Sequence, residues 1–522
     1  MRKTIEHRRK RFSLVAAVLL AASLHAAVAQ SQSPPGSTLT VNARLVVLDV
    51  VVTDQAGKPI DGLTEKDFQV YEDGKLQRIR SIEPPTAHEL PAPSLGAKTI
   101  YDPARPANFG HSPVNILVLD EANTHFADSA FARRSLQEYL AAQPAVLAQP
   151  TTLLSIYDRH FKTLQAFTLD RDALLRALAS APTEYAWKLE VNGNTDSGPV
   201  DRLDQSLRAL EEIAESDAPI PGRKNILWVG NGFPTIDPTT LDGDLAQEMK
   251  DTLQHVTDVL LDTRITLYAV DPTSSAVGMT EITDTTQMDF LEAAGGGIAG
   301  ANETFGATED FDRLGPATGG RVIRGRNDIA SQIAASVDLG SQFYTLAYSP
   351  TSTAETASQY RKIRIVCLRP GLTATTRSGY YSGRTQQEKS RATAAYDLTT
   401  AAESDLPLNG LHVTVTPESA NDSYTVRVAL PNLTWTPKDD GSATASVYIM
   451  AVWLDADKRM IGHKIMGMLA NAAPGADLRD AAKTADFAVT AKPAARASTL
   501  RFIVRDSATG RMGSFDLPLA KH

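Results

Sequence analysis

Cysteine is nearly absent: the 522-residue chain has one, Cys367. A single thiol closes no intrachain disulfide and builds no Cys₄ zinc site, CxxC redox pair or iron–sulfur cluster. Set in the strand-like run Ile363-Arg-Ile-Val-Cys-Leu368, it reads as a small buried hydrophobe. Positive charge is also short. Lys and Arg number 52 against 61 Asp and Glu, a formal −9, the wrong sign for a chain whose main work is holding DNA or RNA. With 33 Gly and 29 Pro the chain is ordinary in both, which excludes collagen-like and wholly disordered classes. Past residue 29 no run approaches the roughly 20 apolar residues that a membrane helix needs. There is no His-Glu-x-x-His pair, no phosphate-binding P-loop and no Gly-x-Ser-x-Gly turn. The chain is therefore not expected to be an enzyme. A hydrolase built from scattered Ser, His and Asp ranks third among the functional readings.

What the chain does carry begins with an export signal. Arg2, Lys3, Arg8, Arg9, Lys10 and Arg11 precede a mainly apolar stretch, Phe12–Leu24, and Ala27-Val-Ala29 offers a small-x-small cleavage site. Residues 1–29 read as a signal peptide, and the expected location is the periplasm, the cell surface or the medium. Their removal takes away six basic residues and Glu6, leaving a formal charge of −14. No cysteine follows the cleavage site, so a lipoprotein anchor is excluded.

Length predicts about three domains. Residues 38–84 carry β patterns with a hairpin signal at Glu72-Asp-Gly-Lys75. A proline-rich linker, 85–113, follows. Residues 114–350 alternate apolar strands with amphipathic helices, the signature of a mainly parallel sheet covered on both faces. Residues 351–383 read as a β hairpin about Arg369-Pro-Gly371, 384–404 as a connector with a helix, and 405–522 as a C-terminal β-sandwich. The fold class is thus multidomain: a doubly wound α/β domain flanked by all-β, sandwich-like domains. The front segment is small for a core of its own. It is expected either to pair with 342–383 in a split sandwich or to stand alone.

In a doubly wound sheet the functional crevice lies at the carboxyl ends of the strands. Four polar loops fall there: Asp120-Glu-Ala-Asn-Thr124, Asn192–Gly198, Gly230-Asn-Gly-Phe-Pro234 and Asp271-Pro-Thr-Ser274. Their carboxylates and hydroxyls are of the type that surrounds a hard cation. The competing reading is that Asp120 and Asn123 only organise their own loop by accepting backbone N–H bonds.

Loop order and architecture resemble a von Willebrand factor A (VWA) domain. More closely, the chain resembles the VWFA-related family first described in acidobacteria, whose members are typically exported. The phrases that carry the resemblance are Val46–Asp54 with Gly57-Lys-Pro59, Leu63-Thr64, Asp67-Phe68 and Glu72-Asp73; Leu119-Asp-Glu-Ala-Asn-Thr124; Gly222-Arg-Lys-Asn-Ile-Leu-Trp228; Gly232-Phe-Pro234; Thr318-Gly-Gly320; Tyr344–Pro350; Tyr360–Ile365; and Arg377-Ser-Gly-Tyr380. They cover roughly residues 46–380. The resemblance implies a Mg²⁺, Mn²⁺ or Ca²⁺ site with Asp120, Thr124, Thr195 and Asn231 as ligands. Ala122 breaks that motif where a serine belongs, and Asn231 is neutral where an aspartate belongs. Glu121, Asn123, Asp196 and Phe233 fall on the same face as candidate partner-binding residues. The function expected is extracytoplasmic protein recognition or adhesion through the loop face, with an eroded metal-dependent site. The alternative is a structural or assembly module of the cell envelope that needs no metal. A protein partner is expected, and nucleic acid is not.

Overall fold

The computed structural model describes residues 45–91, 96, 98–157, 161–183, 199–230, 242–272, 314–350, 359–382, 386–418, 422–492 and 494–519. The expected export signal and cleavage site lie outside the described residues. Among these residues no helix is long and apolar enough to cross a membrane.

The α/β unit is built on a six-stranded sheet, ordered Arg321–Ile323, Ile265–Val270, Lys224–Val229, Val114–Asp120, Val146–Ile156, Phe161–Asp170. All neighbours run parallel except the last pair. The three central strands are buried along their whole length, as their unbroken apolar runs require. Helices Phe126–Ala142, Arg171–Ser180, Pro199–Asp217, Gly243–Asp262 and Ile329–Ser341 accompany the sheet. The fold is a VWA-like, Rossmannoid core with separate antiparallel sandwich sheets. Boundaries shift where pattern alone was ambiguous. The strand expected at Thr152–Tyr157 begins at Val146, because its first half pairs with Phe161–Asp170 at an irregular, bulged register. The short strand Arg321–Ile323 was not expected; it follows a one-turn helix, Leu314–Ala317, and closes the sheet edge.

Among the front strands, Phe68–Glu72 and Lys75–Gln77 form the hairpin expected at Glu72-Asp-Gly-Lys75, and the rest of the pairing reaches beyond the segment. Val46–Thr53 lies between Tyr344–Tyr348 and Thr373–Thr375, and Ile79–Glu83 flanks Tyr344–Tyr348. Phe68–Glu72 pairs with Gln359–Cys367. Two four-stranded sheets result, each mixing strands from before and after the α/β unit. Their shared core holds Val46, Leu48, Val50, Val52, Phe68, Val70, Tyr344, Leu346, Tyr348, Ile363 and Tyr380. At its centre the buried Glu72 accepts hydrogen bonds from the hydroxyls of Tyr348 (2.7 Å) and Tyr380 (3.0 Å). One expectation is corrected here. The strands either side of Arg369-Pro-Gly371 are not a hairpin: Gln359–Cys367 belongs to one sheet and Thr373–Thr375 crosses to the other. The apolar residues on both strands face one core between the sheets, and pairing in a single ribbon would have stranded half of them.

The proline-rich linker is also more than a tether. Tyr101 and Phe109 are buried in the α/β core, and Phe109 packs edge-on against Phe167 at 5.4 Å. Arg264, at φ +58°, ties the two units together. It donates to Asp49 of the sandwich, to Thr345 at 3.1 Å and to the Pro221 carbonyl at 2.9 Å. That cation holds the Asp49 carboxyl below its ordinary value, outweighing a burial that alone would raise it.

In the C-terminal sandwich, strands Val413–Pro417, Ser423–Ala429 and Thr484–Thr490 face a larger sheet of Thr436–Pro437, Ala443–Leu454, Met460–Ala472, Thr499–Asp506 and Met512–Pro518. The connecting helix, Gln386–Glu403, packs Leu398, Ala401 and Ala402 onto Met450, Val452, Leu454 and Ile503 of that sheet. Its other neighbour is the Pro199–Asp217 helix of the α/β unit.

Candidate functional site

The strand order reverses about Val114–Asp120, which has Lys224–Val229 on one side and Val146–Ile156 on the other. The crevice at the carboxyl ends of these strands is the expected binding position, and Asp120 ends the central strand there. Its side chain is turned inward and is 0% exposed. One oxygen, Oδ1, accepts from the backbone N–H of Ala122 (3.1 Å) and Asn123 (3.0 Å). The other, Oδ2, accepts from Trp228 Nε1 (3.0 Å), and the Asn123 amide reaches both oxygens at 3.2–3.3 Å. Burial pushes the Asp120 carboxyl up to about 6, against the opposing pull of the Asn123 and Trp228 hydrogen bonds.

A carboxylate offers about four lone-pair directions, and these donors occupy them. Ala122 supplies no side-chain oxygen, and Thr124 is buried against Gly230. A Cβ at Gly230 would lie 2.6 Å from Thr124 Oγ1 and 2.6 Å from Asp120 Cβ, so the glycine lets two strand ends close on each other. Among the described residues the donors about Asp120 therefore do not fit a hard cation. Their geometry is that of the loop-organising reading. Thr195 and Asn231, the other two expected ligands, lie outside the described residues, as do Asp196 and Phe233.

Two of the four expected partner-binding residues, Glu121 and Asn123, are buried. Glu121 is 2% exposed and points into the protein, where Arg133 donates to it from the next helix. Arg133 also caps the Ala181 carbonyl, at 3.2 Å, so the pair locks the loop to the end of the Arg171–Ser180 helix. Asn123 is 9% exposed and donates to Ser206 at 3.1 Å. Neither presents a contact surface. A polar residue in a turn reads as exposed in sequence, but this turn sits beneath neighbouring helices. Exposed side chains begin with His125 and Phe126, the latter 44% exposed at the start of the following helix.

A second cluster carries no sequence motif. Glu211 on the Pro199–Asp217 helix, His255 on Gly243–Asp262 and Asp397 on Gln386–Glu403 each offer a ligand atom, all within 4.8 Å of one another. His255 Nε2 is 3.0 Å from Asp397 Oδ1 and 3.5 Å from Glu211 Oε1. Asp397 Oδ2 accepts from Arg505 Nε at 2.8 Å. Burial would lower the His255 pKa, but the two carboxylates push it up to about 10. Burial raises Glu211, whereas the His255 and Arg505 cations hold Asp397 down. Two further acids of the same helix, Glu212 and Glu215, are raised to about 8, chiefly by burial. Glu212 accepts from Ser404 Oγ and from the Asp405 backbone N–H, at 3.0 and 3.2 Å. This is not the loop face. Ser206, which meets Asn123, and Glu211 are five residues apart, about 140° around the helix. The three members are 44 and 142 residues apart in sequence, and Glu-Glu on a helix reads as a solvated face. The only available hint was charge inside the apolar stretch of the Gly243–Asp262 helix.

Fold and crevice together define a VWA-like α/β unit set between β-sandwiches. No protein-family model and no curated protein matches the chain. Solved structures similar to parts of it include the following three. Proximal thread matrix protein 1 from the mussel byssus is 12% identical over 30% of this chain and 37% of its own, with a TM-score of 0.21. The pilus adhesin SpaC from Lactobacillus rhamnosus GG is 9% identical over 78% of this chain and 53% of its own, with a TM-score of 0.24. The VWA domain of SpRpn10 is 14% identical over 31% of this chain and 88% of its own, with a TM-score of 0.16. The chain thus spans about a third of the mussel protein and about half of the adhesin, and these likenesses carry no functional argument.

Proposed function

We propose that the chain is an exported recognition protein whose α/β unit contacts a protein partner through the loop face, without a cation held by Asp120. The observation that supports this reading is the Asp120 carboxylate itself. Its hydrogen bonds to Ala122, Asn123 and Trp228 fix the shape of the loop at the strand-order reversal, beside the exposed Phe126 ring. Such a surface binds by shape and apolar contact, with a phenylalanine anchor of the kind that dominates interface energetics. The negative charge of the chain favours approach to basic surfaces. The VWFA-related resemblance agrees with export and with an eroded metal site.

A photo-crosslinking residue at Phe126, with a second at exposed Lys438 of the C-terminal sandwich as reference, tests the reading in the native envelope. A discrete adduct from position 126 that persists in EDTA is expected. An adduct lost in EDTA would refute the cation-free contact. Adducts from position 438 alone would favour the structural-module alternative, which the interlocked sandwich and α/β units also suit.

A further inference from the structure

We propose that Glu211, His255 and Asp397 form a divalent-cation site of the zinc or manganese type, placed where three helices meet and distinct from the loop face. Two carboxylates and an imidazole are an N/O donor set suited to these ions. Bonds of about 2.0–2.2 Å set neighbouring tetrahedral ligand atoms about 3.3 Å apart. The His255–Asp397 and His255–Glu211 separations, 3.0 and 3.5 Å, bracket that value.

An ordinary ion pair leaves this cluster incomplete. A protonated Nε2 carries one N–H and can aim it at one carboxylate: its hydrogen bond is to Glu211 Oε1 at 3.5 Å, while Asp397 Oδ1 lies 3.0 Å from the same nitrogen. Glu211, 1% exposed, thus has one long hydrogen bond on Oε1, and its Oε2 has no hydrogen-bond partner. A buried carboxylate in that state is costly. A cation between the three groups serves both acids at once and can take the second Glu211 oxygen. One further feature supports such an ion. Arg505 grips Asp397 from behind and fixes its orientation, as partners of metal ligands commonly do.

The three ligands come from three elements, two in the α/β unit and one in the connecting helix. A bound ion would therefore clamp the Gln386–Glu403 helix, and with it the C-terminal sandwich, to the α/β unit. Cation binding would be coupled to the rigidity of the joint between them.

The test uses the full chain stripped with EDTA and titrated by calorimetry with Zn²⁺ and, separately, Mn²⁺, with the metal content of the dialysed protein measured alongside. One ion per chain is expected, with a rise in melting temperature on saturation. His255→Asn and Glu211→Gln should each weaken binding at least tenfold and abolish that rise. Glu211→Gln keeps the side-chain shape, and circular dichroism confirms folding of both variants. Failure of the folded wild-type chain to bind stoichiometrically at millimolar ion overturns the proposal. So does wild-type affinity in both variants, since the ion would then lie elsewhere.

Discussion

Glu215 offers a quantitative test of the joint between the α/β unit and the C-terminal sandwich. It is buried on the Pro199–Asp217 helix, and its Oε2 lies 3.4 Å from the Met512 backbone N–H of the last strand. Burial, with the nearby Glu211 and Asp397 charges, raises its carboxyl from 4.5 to about 8. A carboxyl raised on folding binds more protons folded than unfolded, so stability falls as pH rises between those two values. At 1.36 kcal/mol per pH unit, the ionisable group costs about 3 kcal/mol at pH 7 and about 5 kcal/mol above pH 8. Glu215→Gln removes the titration while keeping the size. Relative to the wild type, the variant should gain nothing from this source at pH 4, about 3 kcal/mol at pH 7 and about 5 kcal/mol at pH 9. Urea unfolding in EDTA at these pH values measures it. A difference that stays constant from pH 4 to pH 9 would refute the reasoning, because a simple packing effect has no pH slope.

Two other substitutions probe the remaining joints. Arg264→Ala leaves the half-buried Asp49 without its hydrogen-bonded cation and should cost about 1.5–3 kcal/mol in urea unfolding. Because Arg264 depresses the Asp49 pKa, that loss should be full at neutral pH and shrink as pH falls below the ordinary aspartate value of 3.8. Trp228→Phe keeps the core ring but removes the indole N–H that Asp120 Oδ2 accepts, and should cost about 1–3 kcal/mol. Unchanged stability in that variant would show that the bond does not hold the loop.

The α/β class was legible because its signal is local. Asn115–Leu119, Asn225–Val229 and Ile265–Val270 are apolar runs that suit strands covered on both faces, and amphipathic helices alternate with them. The C-terminal strands were legible for the same reason, down to alternation such as that of Thr484–Thr490, where exposed and buried residues strictly alternate. Asp120 was found because it ends a central strand. Its orientation was not legible: whether a carboxylate at a sheet edge faces solvent or its own loop depends on Trp228, more than 100 residues away, and on a glycine that allows contact.

Sequence by itself determined the periodicities, and through them which segments are strands or helices and which ends of the strands form the crevice. It also determined what chemistry is absent, since a missing cysteine framework, P-loop or nucleophile elbow is a fact of composition and spacing. The tertiary structure decided pairing and protonation. Val46–Thr53 joins Tyr344–Tyr348 and Thr373–Thr375 because only strands from beyond the α/β unit complete its core. Glu211, His255 and Asp397 meet because three helices pack together. Contacts across such distances depend on the packing of whole faces, and no window of local sequence contains them.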